Sequence, residues 1–136
     1  MMLKLIQDFP QHIADSLNIA EGVAKVWQPL PRPVYQVVIT GLGGSGIGGT
    51  IAADLCAGTA TVPVVVNKGY SLPNWVGPST LVVACSYSGN TEETLTALDQ
   101  AVAAGCMVSA TWRRPPPRPE PTSSTSLPAR CARAAR

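Results

Sequence analysis

At 136 residues, 46% apolar and 13% charged, the chain has the size of one domain that buries roughly two thirds of its unfolded surface. It contains no run of 18 apolar residues, and its opening Met1 to Ile6 is too short and too interrupted by Lys4 and Asp8 for a secretory core, which excludes a helical membrane span and argues for a cytoplasmic protein with reduced thiols. The formal net charge of +2 conceals two compositions: residues 1–111 hold four basic and seven acidic side chains, net −3, whereas 112–136 hold six Arg and one Glu, net +5.

The N-terminal segment, 1–33, reads as a helix and a connector. Pro10 fits the first turn of a helix, and Ile13, Leu17, Ala20, Ala24 and Trp27 follow at spacings that put them on one face, expected to pack against the sheet domain. His12 is the only histidine; on a helix beside Gln11, with no positioned partner in the sequence, it reads as solvated rather than as an acid–base catalyst. Pro29, Pro31 and Pro33 then lead, extended, into a strand over Val34–Thr40.

The glycine-rich stretch Gly41-Leu42-Gly43-Gly44-Ser45-Gly46-Ile47-Gly48-Gly49 reads as the turn after that strand, where backbone can approach a ligand closely. Gly41-x-Gly43-x-x-Gly46 satisfies the dinucleotide-binding pattern. The next strand, 62–67, ends at Asn67 and Lys68, however, where a ribose-binding acid would be expected roughly 20 residues after the glycines. No dinucleotide cofactor, and no other cofactor, is therefore expected. Tyr70 to Trp75, with Leu72 and Pro73, reads as a packed loop.

A third strand, 80–85, follows Gly77 and Pro78, and its apolar run Leu81-Val82-Val83-Ala84-Cys85 has the character of a buried parallel strand. The period then changes. From Glu92 to Ala104 the residues Leu95, Leu98 and Val102 fall at helical spacing, and Gly105 is placed to end the helix in a left-handed cap. Asn90, with Glu93 three residues on, has the form of an N-cap with a reciprocal partner, and Glu92 and Glu93 read as dipole and capping residues rather than catalytic carboxylates. Between strand and helix, Ser86-Tyr87-Ser88-Gly89-Asn90-Thr91 places three hydroxyl side chains and the free N–H groups of a helix start in one corner, which suits a phosphate. A fourth strand, 106–111, follows. Cys56, Cys85, Cys106 and Cys131 have no metal-like spacing; the first three fall in helix or strand patterns and read as small buried apolar residues.

Three segments together carry a resemblance: Gly41–Gly49, Asn67-Lys68-Gly69-Tyr70-Ser71-Leu72-Pro73, and Ser86-Tyr87-Ser88-Gly89-Asn90-Thr91-Glu92-Glu93-Thr94. In order and spacing they look like the bifunctional phosphoglucose/phosphomannose isomerase family, built from sugar isomerase (SIS) domains, and Leu5-Ile6-Gln7-Asp8-Phe9-Pro10-Gln11 resembles that family's N-terminus. The resemblance implies an α/β fold, a three-layer αβα sandwich with a parallel sheet, incomplete over 34–111 and preceded by an N-terminal helix. It also implies a sugar phosphate held by Gly44, Ser45, Ser86, Ser88 and Thr91, aldose–ketose isomerisation through an enediol, and a homodimer. The family's catalytic glutamate and histidine are not identifiable in this chain, so the chain alone is expected to be catalytically incomplete. A non-catalytic sugar-phosphate-binding module is the alternative.

From Trp112 the composition becomes that of a Pro- and Arg-rich disordered tail. With one Leu and no Val, Ile, Phe or Met it cannot offset its ordering entropy by burial. The arginines are scattered and no aromatic follows Trp112, which weighs against a nucleic-acid-binding arm, and a polyproline ligand competes with it. An out-of-frame translation is the reading preferred here: the family continues with Gly-Gly, and after the TGG codon of Trp112 a CGN codon for Arg113 gives GGC, a glycine, one base later.

Overall fold

The computed structural model describes residues 2–26 and 28–112. Trp27 and the segment 113–136, including Cys131 and all but the first residue of the expected tail, lie outside the described residues. The chain divides into two units, one ending at Pro31 and the other beginning at Arg32.

The first unit is helical, with α1 (Met2–Gln7) and α2 (Phe9–Val26). Pro10 lies in the first turn of α2, as its missing N–H requires, and α1 is an element that the spacing argument does not supply. The two helices separate only at Asp8. Pro10 has no N–H to offer the carbonyl of Ile6, while Asp8 and His12 still donate to the carbonyls of Lys4 and Asp8 at 2.9 and 3.0 Å. His12 is exposed, as expected.

The second unit runs β1 (Gln36–Thr40), α3 (Gly44–Cys56), β2 (Val64–Asn67), β3 (Thr80–Ser86), α4 (Glu92–Ala103) and β4 (Met107–Trp112). The strands form one parallel sheet in the order β2-β1-β3-β4. β4 runs one residue past its expected end, and Trp112 pairs with Ser86 inside the sheet instead of opening the tail.

Neighbouring residues of a strand point to opposite faces, and the two helices divide those faces between them. On one side Val38, Val82 and Val108 form a row in register across β1, β3 and β4, and Val38 and Val82 are fully buried with Ala97 and Ala101 of α4 and with Leu72. The two alanines let the helix axis approach the sheet, and burial of each valine stabilises the unit by about 1.5 kcal/mol or more. On the other side α3 packs through Gly49, where an added Cβ would stand 2.9 Å from Ile39 Cγ2 and 3.4 Å from Val66 Cγ1. Helix, sheet and helix make the three layers expected of this sequence.

The glycine-rich stretch departs from its expected form. Only Gly41–Gly43 lie outside a helix; Gly44–Gly49 are the first turns of α3. Gly43 makes the corner, at φ 58° and ψ −127°, a conformation that a side chain would strain. At the end of α4, Gly105 (φ 72°) donates to the carbonyl of Val102 at 3.0 Å and Cys106 to that of Ala101 at 2.9 Å, the paired bonds of a left-handed helix cap. Of the cysteines read as buried, Cys85 and Cys106 are half-buried, but Cys56, the last residue of α3, is exposed.

Between β2 and β3 the chain crosses β1 without a helix. The side-chain amide of Gln100 on α4 holds this crossing: it donates to the carbonyl of Tyr70 and accepts the N–H of Leu72, both at 2.9 Å. Leu72 is 7% exposed while Tyr70 and Trp75 are about half-exposed, so the packing expected of this loop falls on Leu72.

Candidate anion-binding site

From β1 the chain turns through α3 to β2 on one side of the sheet, and from β3 through α4 to β4 on the other. The reversal lies between β1 and β3. Beyond the C-terminal ends of those two strands the outgoing connections part, which leaves the crevice where open α/β sheets bind ligands. Both glycine and hydroxyl segments singled out in the sequence leave from this point: Gly41 follows β1, and Ser86 ends β3.

The two corners touch. A Cβ on Gly41 would stand 2.9 Å from the carbonyl oxygen of Cys85, and one on Gly46 would stand 2.7 Å from the carbonyl oxygen of Gly41. Glycine at both positions lets the first turn of α3 close onto the end of the sheet beside β3. Ser45, half-buried, and Ser86 line one groove of about 470 Å³ together with Ile39, Gly49, Cys85 and Tyr87. Gly44 is the exposed first residue of α3.

The hydroxyl side chains of the second corner form a connected string. Ser86, 7% exposed, accepts the N–H of Gly89 at 3.0 Å and shares a hydrogen bond with Thr91 Oγ1 at 3.0 Å. Ser88, exposed, accepts the N–H of Asn90 at 3.2 Å and shares a bond with Thr91 Oγ1 at 3.3 Å. Gly89, at φ 72°, makes the bend that brings Ser86 and Ser88 to the same threonine. A hydroxyl oxygen that accepts a backbone N–H keeps its own proton for another acceptor, so this loop is a set of neutral donors at a helix start.

The N-cap differs from expectation. Thr91, not Asn90, precedes α4, and its side chain makes no capping bond because it is held by the two serines. Glu93 does not complete a capping box either: it hydrogen-bonds the Tyr70 phenol. Partial loss of hydration, then the charges of Glu92 and Glu93, then that hydrogen bond push the phenol above its ordinary range. Of the five residues expected at a phosphate, Ser86, Ser88 and Thr91 are linked by hydrogen bonds, Ser45 shares the groove with Ser86, and Gly44 stands beside Ser45 at the head of α3. The sequence reading did not find Gln100, which fixes the neighbouring crossing; a polar residue on a helix carries no local signal of such a contact. Among the described residues no three His, Cys, Asp or Glu side chains gather as a metal site, and no helix is long and apolar enough to cross a membrane.

Comparison with known proteins gives a consistent neighbourhood. No family model matches the chain. It is 39% identical over 109 residues to a bifunctional phosphoglucose/phosphomannose isomerase of Caldicellulosiruptor bescii, a match covering 80% of this chain and 32% of the relative. Proteins of the same name from Thermoplasma acidophilum and Aquifex aeolicus are 45% and 40% identical over 75 and 83 residues, covering 55% and 58% of this chain and 23% and 26% of the relatives. The chain thus spans a third or less of the length of the curated relatives it matches. Among solved structures, the tagatose-6-phosphate ketose/aldose isomerase of Escherichia coli aligns with a TM-score of 0.55 at 19% identity, over 73% of this chain and 29% of that one. A structure from Clostridium difficile 630, provisionally described as a phosphosugar isomerase, aligns with a TM-score of 0.55 at 23% identity, over 82% of this chain and 29% of that one. These likenesses establish the SIS fold.

Proposed function

We propose that this chain, whose matched region belongs with the bifunctional phosphoglucose/phosphomannose isomerases, is the sugar-phosphate-binding portion of an aldose–ketose isomerase that interconverts glucose 6-phosphate or mannose 6-phosphate with fructose 6-phosphate. The observation that carries the reading is the hydroxyl string Ser86–Thr91–Ser88 at the strand-order reversal, beside the opening of α3. A phosphate seated there accepts hydrogen bonds from Ser88 and Thr91, from the first N–H groups of α3 and α4, and from Ser45. The dipole of each helix favours the negative charge by roughly 0.3–1 kcal/mol.

The isomerisation moves a proton between C1 and C2 of the open-chain sugar and needs a base placed over those carbons. The loop supplies neutral hydroxyl groups, and neither the glutamate base nor the histidine of the family is identified in this chain. We therefore read the chain as an anchor that is catalytically incomplete alone. A pairing of two copies is part of this proposal. It is supported by α3, whose Ile47, Ile51 and Leu55 recur every four residues on its outer side and are 60%, 55% and 77% exposed, an apolar stripe suited to burial against another surface. Cytoplasmic location agrees with the free thiols of Cys56, Cys85 and Cys106.

Titration of the purified chain with fructose 6-phosphate and with fructose tests the anchor. The phosphate ester is expected to bind and the free sugar to bind far more weakly, and Ser88→Ala is expected to weaken the first more than the second. Equal losses for both ligands would remove the phosphate assignment, and turnover of fructose 6-phosphate by this chain would overturn its catalytic incompleteness. Binding without turnover in the gene's longest open product would favour the non-catalytic module instead.

A further inference from the structure

The phosphate proposed above is a dianion, yet the two corners that would hold it contribute no positive side chain, and the first turn of α4 contributes two negative ones, Glu92 and Glu93. Helix dipoles and hydroxyl groups solvate an anion but do not neutralise it. The described residues of the sheet unit include two cations, Arg32 and Lys68. Arg32 is at the wrong end. Its guanidinium donates to the carbonyl of Gly105 at 3.1 Å, next to the start of β4 and so at the N-terminal end of the parallel strands, opposite the site.

Lys68 is at the right one. It follows β2 directly, and the carbonyl of Asn67, the residue before it, accepts the N–H of Gly41 at 3.2 Å. The side chain then runs along the first turn of α3, with its Cγ 3.5 Å from where a Cβ on Gly46 would lie. Gly46 thus leaves room for the lysine stem as well as for the carbonyl of Gly41. Two residues later the same segment reaches the first turn of α4 through the Tyr70–Glu93 hydrogen bond, and Gln100 pins it there. The crossing after β2 is therefore a third wall of the crevice. Lys68 stands at its base, exposed, with no hydrogen bond or ion pair to any described residue.

We propose that Lys68 supplies the positive charge at this site, pairing with the phosphate group of the bound sugar phosphate from the β2 side while Ser86, Ser88 and Thr91 orient it from the β3 side. The proposal rests on the anion-binding reading of the two corners. A lysine ammonium is a compact charge on a four-carbon stem that reaches from the head of α3 toward a neighbouring anion without bidentate geometry. Its contribution therefore depends on salt in a way that a hydroxyl donor's does not.

The test is a titration of the full 136-residue chain with fructose 6-phosphate and with inorganic phosphate at two salt concentrations, for the parent, Lys68→Gln, Lys68→Arg and Ser88→Ala. Lys68→Gln is expected to raise Kd for both ligands about tenfold at low salt, as a lost charge-assisted contact does, and to flatten the salt dependence. Its melting temperature should match the parent's, and Lys68→Arg should retain most of the affinity. Parent-like affinity and salt dependence in Lys68→Gln, alongside weakened binding in Ser88→Ala, would overturn the role of Lys68 and leave the phosphate site standing. An equal loss in Lys68→Arg and Lys68→Gln, accompanied by a lower melting temperature, would make the lysine a packing residue and overturn the proposal as well. Absence of binding by the parent chain would remove both readings together.

Discussion

Replacement of Ser86 by alanine separates what this corner does for the fold from what it does for a ligand. Ser86 is 7% exposed, and its oxygen takes the N–H of Gly89, itself buried, at 3.0 Å. Without the hydroxyl that N–H is left buried and unpaired, and Thr91 Oγ1 loses its shorter bond. An orphaned buried donor costs about 1–3 kcal/mol, and for a unit of this size 2 kcal/mol lowers Tm by roughly 10 °C. Ser88→Ala removes an exposed hydroxyl and should stay within about 0.5 kcal/mol of the parent in stability. For binding, Ser88→Ala deletes a donor to a charged group, worth about 1.5–3 kcal/mol, or roughly ten- to hundredfold in the Kd for a phosphate ester. Thermal unfolding followed by far-UV circular dichroism, paired with calorimetric titration of fructose 6-phosphate, measures both axes. Ser86→Ala should lose stability and affinity together, and Ser88→Ala affinity alone. A Ser86→Ala protein that melts like the parent, or a Ser88→Ala protein that melts lower than Ser86→Ala, would refute the assignment of the inner hydroxyl to the fold and the outer one to the ligand.

Two further outcomes test the packing around the site. Gly48→Ala should raise stability by about 0.5–1 kcal/mol in denaturant titration, because an added Cβ meets nothing within 4 Å and helical alanine is favoured over glycine; Gly46→Ala, two residues away, should destabilise, since its Cβ would stand 2.7 Å from the Gly41 carbonyl oxygen. Spectrophotometric titration of the tyrosines should show one phenol ionising above the ordinary range, and Glu93→Gln should bring it down by removing both a nearby charge and a carboxylate hydrogen bond, although the contribution of lost hydration would remain.

The parts of the fold that could be read in the sequence were those with a clean period. The apolar runs gave all four strands of the described sheet to within two residues at each end, and the spacing of Leu95, Leu98 and Val102 gave α4, with Gly105 as its cap. The opening of α3 was hidden for a physical reason. Gly44, Gly46, Gly48 and Gly49 carry the local signature of a turn, and only contacts outside the helix, with Gly41, Ile39 and Val66, require glycine at Gly46 and Gly49. Asn90 and Glu93 satisfy a capping pattern, but their competitors were remote or concealed: the serines claim Thr91, and Tyr70, more than twenty residues earlier, claims Glu93. The hydroxyl residues of the site were visible because their chemistry is local, within six residues of one loop. Lys68 and Gln100 were not, since the sequence does not say which loop crosses which strand.

The string Ser86–Thr91–Ser88 has no fixed direction in the free protein, because in each shared bond either oxygen can be the donor. The backbone N–H groups of Gly89 and Asn90 already occupy one lone pair on each serine. A bound dianion accepts hydrogen bonds and donates none, so its arrival selects a single arrangement: the Ser88 and Thr91 protons turn outward, and the Ser86 proton turns to Thr91. The loop is then polarised from the end of β3 toward the ligand, and every hydroxyl in it is committed as a donor. A string committed in that way holds a charge in place, and its neutral hydroxyl groups are too weakly basic to take a proton from carbon.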